Sequence, residues 1–303
     1  MSRLSVFAAL ALFACKPAEE APDVVVGEQV YALVDIPHLM FTNFDAGDAT
    51  LMTQLLEDMK LEVGKIDPSV KPKDRAFTIP SLTADQLGGA VMPEGVDPAN
   101  QVSTVVLGQS THTVDANAAL VVEPNQICIE SETTKYAGRT FLTDAACFPA
   151  RGCDVVRTSQ EVRKENLLAK AWYDQFKDFR WFAMADGTPA LVARSWVPKV
   201  YEGDGGNTSF AQSFTVEAWI PNGETTLRAY AMWAEINIGL PPDVMQNIIL
   251  DGLGESMTFA DQYIDDPTAA WCPNDRNRPY DRPPEGAGDT GTDTATDTAT
   301  STP

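Results

Sequence analysis

Ser209 to Trp219 reads SFAQSFTVEAW and Thr225 to Ile236 reads TTLRAYAMWAEI, with Ile220-Pro221-Asn222-Gly223-Glu224 between them. Both runs are rich in aromatic and β-branched residues, and Asn-Gly between two such runs is the strongest short signal for a β-hairpin. With Asn222 and Gly223 as the two loop residues, Glu217 stands opposite Arg228 and Thr215 opposite Tyr230. The second run leads through Asn237-Ile238-Gly239-Leu240-Pro241 into a helix. Pro241 and Pro242 suit its first turn, and Met245, Ile249, Leu253, Ser256, Phe259, Ala260 and Tyr263 trace its apolar face. Two long strands running straight into a long helix predict an antiparallel sheet with that helix lying across it.

Outward from the hairpin, Ala190 to Val200 reads as a third strand, turned into the sheet by Glu202-Gly203-Asp204-Gly205-Gly206-Asn207. Val102 to Leu107, Thr113 to Val122, Gln126 to Thr133 and Arg139 to Leu142 read as further strands, broken by Gly and Asn. Asp48 can cap a helix with Leu51, Met52, Leu55, Leu56, Met59 and Val63 on one face, closed by Gly64. Thr158-Ser159-Gln160-Glu161 has the spelling of a capping box, and Leu168, Trp172, Gln175, Phe176 and Phe179 follow at helical spacing, so a second helix is expected there. Lys65 to Asn100 is Pro-rich and shows no readable period. Strand runs set apart from helices predict an α+β fold. From Leu167 to Ile264 the order of elements resembles the helix-grip lipid-binding folds of the START and Bet v 1 type. The resemblance rests on the long strands that pass through Asn237 to Pro241 into the C-terminal helix. It implies a helix-covered cavity for a small apolar or amphiphilic ligand.

Strand alternation places Val192, Arg194 and Trp196 on one face, beside Thr215, Glu217 and Trp219 and then Arg228, Tyr230 and Met232. The other face, with Leu191, Ala193, Val197, Phe214, Val216, Ala218, Leu227, Ala229 and Ala231, is apolar enough to be core. The first face mixes broad aromatics with two arginines and a glutamate. That composition suits a ligand-facing wall, with Arg194 and Arg228 on a carboxylate or phosphate head. It suits a solvated outer face with one cross-strand ion pair as well. The candidate ligand-binding residues are therefore Arg194, Trp196, Glu217, Trp219, Arg228 and Tyr230.

The N-terminus carries an address. Met1 to Ala14 has one positive charge at Arg3 and then an apolar run from Leu4 to Phe13, too short to span a bilayer and suited to a signal peptide. Leu12-Phe13-Ala14-Cys15 resembles the lipobox of bacterial lipoprotein precursors, which implies cleavage before Cys15 and a diacylglycerol on its sulfur. The expected place is the cell envelope outside the cytoplasm, tethered by lipid at the outer membrane. Lys16 to Val26 reads as a spacer, residues 27–272 as one folded domain, and 273–303 as a disordered tail ending in a Thr/Asp tract. With Cys15 assigned to lipid, Cys128, Cys147, Cys153 and Cys272 remain in an oxidising compartment. Phe-Pro-Ala-Arg-Gly between Cys147 and Cys153 keeps those two close, which leaves Cys128 to pair with Cys272. A zinc site is the rival reading, but no C-x-x-C occurs and the histidines are His38 and His112 alone.

Among its 303 residues the chain has 43 acidic and 22 basic side chains, a formal net charge of −21, which opposes nucleic-acid binding through a basic surface. No catalytic residue is expected: Gly108-Gln109-Ser110 and Gly254-Glu255-Ser256 begin a nucleophile elbow without finishing it. No cofactor is expected either, since Gly252-Leu253-Gly254 lacks a third glycine and no Walker sequence occurs. The Glu202 to Asn207 turn has carboxylates that could suit calcium without EF-hand spacing, and a plain loop is the simpler reading. Two functions from different classes stay open besides ligand binding. One is an envelope scaffold that contacts a protein or cell-wall partner and has no cavity; the other is a hydrolase with a dispersed site using His112.

Overall fold

A computed structural model of the chain describes residues 30–46, 48–67, 69–167, 170–204, 208–273 and 282. The leader, Cys15, the spacer to Val26 and the Thr/Asp tract lie outside the described residues, as do Gly205, Gly206 and Asn207 of the Glu202 to Asn207 turn.

The chain enters through α1 (Ile36–Asn43) and α2 (Ala49–Val63). As expected, Asp48 caps α2, its Oδ1 accepting the Leu51 N–H at 3.0 Å. Short 3-10 turns then carry the chain past β1 (Ala76–Thr78) into β2 (Val102–Ser110). A small helix α3 (Val114–Ala119) follows, and after it β3 (Thr134–Phe141), β4 (Val155–Glu165), β5 (Lys170–Ala183), β6 (Pro189–Trp196), β7 (Tyr201–Glu202), β8 (Ser209–Asn222) and β9 (Thr225–Asn237). The chain closes on α4 (Pro242–Asp265). The strands form one antiparallel sheet in the order β1-β2-β9-β8-β6-β5-β4-β3, with β7 beside β8. From β3 onward it is a meander, and β9 folds back to meet β2. This is the expected α+β fold with a long C-terminal helix across an antiparallel sheet.

Each face of the sheet is covered by helices. Against one pack α1 and α2, where Met40, Phe41, Leu55 and Met59 meet Val105, Phe214, Val216, Ala231 and Trp233 in the largest core cluster. Against the other lies α4, where Met245, Ile249, Leu253 and Met257 meet Val106 and Ala234. Gly254 lets α4 cross the Pro72 turn closely, since a Cβ there would stand 2.3 Å from Pro72 Cγ. Both expected disulfides are present, with Cα atoms 5.4 Å apart in Cys128–Cys272 and 5.5 Å apart in Cys147–Cys153.

Four expectations are corrected. Thr158 to Phe179 is not a helix but most of β4 and β5, hairpin neighbours paired from Val155–Arg180 to Glu165–Lys170. Thr113 to Val122 is not a strand: Thr113 Oγ1 accepts from Ala116 N, capping α3, and a 3-10 turn ends the segment. Gln126 to Thr133 is a run of turns and bends. The β8–β9 hairpin turns on Gly223 and Glu224, because Asn222 pairs with Thr225 and Gly223 takes the left-handed φ of 63°. Glu217 therefore faces Tyr230, and Thr215 faces Met232. A register shift of two residues keeps every side chain on its face.

Candidate ligand-binding cavity

Between the sheet and α4 lies a cavity of about 310 Å³. Its floor comes from one face of three strands: Tyr173, Gln175 and Lys177 of β5, Ser213 and Thr215 of β8 with Phe210 across a register shift, and Tyr230, Met232 and Ile236 of β9. Its roof is the inner face of α4, with Met245, Ile249, Leu253 and Ser256. Glu130 and Lys164 close one side. At Tyr230 and Ser256 a smaller cavity of about 50 Å³ continues inward past Asn117, Glu217, Trp219 and Arg228. The outer end reaches the surface, where Asn166 is exposed and Ile248 is 37% exposed.

Of the candidate residues, Glu217, Trp219, Arg228 and Tyr230 come together here. Arg228 Nε donates to Glu217 Oε1 at 3.1 Å, Nη2 donates to the same oxygen, and Nη1 donates to the Met257 carbonyl of α4 at 3.2 Å. Its guanidinium carbon sits 5.5 Å from the Trp219 ring centroid. The pair is 3% and 4% exposed, so each charge depends on the other for solvation. It is a diagonal pair across the hairpin, not the directly opposed one expected from the Asn-Gly turn.

Arg194 and Trp196 are elsewhere. In β6 it is Leu191, Ala193 and Ser195 that share a face with Trp219, Glu217 and Thr215, while Arg194 pairs with Val216 and Trp196 with Phe214 on the side of α1 and α2. There Arg194 Nη1 donates to the Gly88 carbonyl at 2.8 Å, and Nη2 donates to Asp178 at 3.1 Å and to Asp45. Trp196 stacks on Phe176. Burial pushes the Asp178 carboxyl above its usual value despite Arg194 and Arg157 beside it. This network belongs to the core and lines neither cavity.

Charge is concentrated on the cavity's side wall. Burial works to raise the Glu130 carboxyl, but Lys164, Lys177 and Arg139 outweigh it and hold the group below the ordinary range. Burial lowers the Lys164 ammonium against the pull of Glu130, and it lowers Arg139 to about 10. The Tyr173 and Tyr230 phenols are raised by burial and then by nearby carboxylates, so both keep their protons and can donate. Glu255, on the rim, is raised by burial and by Glu132 and Asp251. The reading of Thr158 to Phe179 as a helix hid Tyr173, Gln175 and Lys177. Their spacing of two was the signal that could have found them.

Ser110 and His112 do not form a nucleophile and base. Ser110 Oγ donates to Asp261 at 2.6 Å, while His112 Nε2 lies 3.3 Å from Asp265. Among the described residues no group of three or more His, Cys, Asp or Glu side chains is placed to hold a metal ion.

No protein-family model matches the sequence, and no curated protein matches it. Among solved structures, the chain is similar to the STAR-related lipid transfer protein from Xanthomonas axonopodis, with 11% identity and a TM-score of 0.41 over 57% of this chain and 89% of that one. It is similar as well to a START superfamily protein from Mycobacterium smegmatis, with 10% identity and a TM-score of 0.37 over 54% of this chain and 97% of that one. Human STARD10 aligns with 54% of this chain and 64% of its own at 8% identity, with a TM-score of 0.36.

Proposed function

We propose that this chain is a lipid-anchored protein of the cell envelope, without catalytic activity, whose domain holds one small apolar or amphiphilic ligand between the sheet and α4. The observation that carries the reading is the cavity of about 310 Å³, walled by Tyr173, Met232, Ile249 and Leu253 and edged by polar and charged groups, with Glu130, Lys164 and Lys177 on one side. That size and lining are those of a site for one small molecule. The cavity opens to the surface beside Asn166 and Ile248, so without a ligand it holds water against Met232, Ile249 and Leu253, and an apolar body that displaces this water gains the area it covers. The anchor rests on Leu12-Phe13-Ala14-Cys15, with the acidic chain hung outside the cytoplasm.

Organic extraction of the purified full chain followed by mass spectrometry tests the ligand. A stoichiometric amphiphile supports the reading. A folded, empty protein that takes up no amphiphile on challenge sinks it and leaves a scaffold contacting a protein or cell-wall partner. The anchor is tested separately, by detergent partitioning of the native chain and of Cys15→Ser. A variant that stays in the detergent phase refutes lipidation at Cys15.

A further inference from the structure

Where the two cavities meet, the lining changes from apolar to cationic. Glu130, Lys177, Tyr230 and Ser256 border both. Lys164, Lys177 and Arg139 all act on the one carboxylate of Glu130. Two of these cations are already engaged. Lys164 Nζ lies 3.6 Å from Glu130 Oε2 and donates to Ser131 Oγ and Thr134 Oγ1. Arg139 Nη1 donates to the carbonyls of Val121 and Glu123.

Lys177 differs from them. Among the described residues its Nζ has no hydrogen-bond acceptor; it acts on the Glu130 carboxylate through space only, and the Phe179 ring centroid is 5.3 Å away. The Tyr230 hydroxyl, protonated and on the same cavity border, has no hydrogen-bond partner there either. A half-buried ammonium that meets no acceptor keeps its N–H groups available to the cavity, and Glu130, already shared with Lys164 and Arg139, does not match it alone. Arg228, one step deeper, shows the contrast: it is matched by Glu217. From Ile238, just past β9, back along the strand to Tyr230, and along α4 from Met245 to Ser256, the lining runs from the outer end toward this junction, apolar for most of the way.

We infer that the ligand is a single-chain carboxylic acid, bound with its carboxylate inward between Lys177 Nζ and the Tyr230 hydroxyl and its chain lying under α4 toward the surface. The inference rests on the ligand-binding reading above and adds the charge and direction of the ligand. Lys177 supplies the counter-charge, Tyr230 a neutral donor, and Met232, Ile249 and Leu253 the contact for the chain.

Calorimetric titration of the full chain with dodecanoate and with dodecan-1-ol, each below its aggregation limit, tests this. The two probes share a chain and differ in the charge of the head. Dodecanoate binds more tightly by about tenfold or more, the usual worth of a hydrogen bond to a charged group. Lys177→Gln removes that preference and leaves the alcohol affinity as it was, and Tyr230→Phe weakens the acid alone by about threefold. Equal affinities for the two probes in the unaltered chain overturn the inference without any variant, as does an equal loss of both in Lys177→Gln. Failure of both probes to bind the folded, unaltered chain overturns the ligand-binding reading itself.

Discussion

Under α1 and α2, Phe41 meets Phe214 and Trp233 edge to face with centroids 5.9 and 6.0 Å apart, and the buried Arg194 is held by Asp45, Asp178 and a backbone carbonyl. Under α4, on the reverse of the same strands, Met232 and Tyr230 look into open space and Lys177 has no acceptor among the described residues. A single strand such as β9 thus serves both, its odd-numbered side chains filling a core and its even-numbered ones bounding a cavity. One face supplies stability and leaves the other free to give up packing.

That division can be broken by experiment. Phe214→Ala, on the filled face, costs about 4 kcal/mol in urea denaturation, whereas Met232→Ala, beside the cavity, costs about 1 kcal/mol, because little packing is there to lose. Equal costs would erase the distinction. The cavity side depends instead on a covalent clamp: Cys128 and Cys272 tie the segment after α4 to the turns beside α3, across 144 residues. Replacing both by Ser costs about 3 kcal/mol, and a change of midpoint no larger than that of the Cys147 and Cys153 pair, whose loop is far shorter, would argue against it.

The two buried arginines sharpen the comparison. Arg194→Met leaves Asp178, 2% exposed, to Arg157 alone and costs about 3 kcal/mol; Arg228→Met leaves Glu217 beside a cavity that water can enter, and costs about 2 kcal/mol. Melting curves of the two variants rank them, and the reverse order would mean that the cavity is drier than its lining suggests.

The smallest effect is on the rim. Glu255 has its folded pKa raised above the ordinary 4.5 by burial, Glu132 and Asp251. Its favourable contribution is present below about pH 4.5 and is lost as pH rises through the raised folded value. Glu255→Gln therefore gains about 0.5 kcal/mol at pH 7, held low by solvent screening, and gains nothing near pH 4. Stability curves for both proteins against pH check the sign, and a loss at pH 7 would contradict it.

What the sequence made legible followed from how strongly each segment was patterned. The capped helix α2, the β8–β9 hairpin and α4 each combine a period with an end signal, and each was found. β6 failed for the opposite reason. Both faces of its Ala190 to Ser195 run are buried, so no alternation of polar and apolar residues fixes its phase, and Arg194 was assigned to the cavity side. β4 and β5 failed because long polar side chains cover their faces, and chance helical spacing from Trp172 to Phe179 outweighed the buried alternation of Val156, Thr158, Gln160 and Val162. Glu217, Trp219, Arg228 and Tyr230 survived a wrong register because the error was an even number of residues. Lys177 was lost with the strand that carries it.

The Cys128–Cys272 bridge gives α4 a covalent support at one end. The helix is clamped beyond its C-terminal end, and along its last turns Ser110 bonds Asp261, His112 lies beside Asp265 and Arg228 bonds the Met257 carbonyl. Its first turns carry Val244 and Ile248 at 39% and 37% exposure. Fastened at its far end by a covalent tie and at its near end by the apolar contacts of Met245 and Ile249 with Val106 and Ala234, the helix is a beam whose two supports differ in kind.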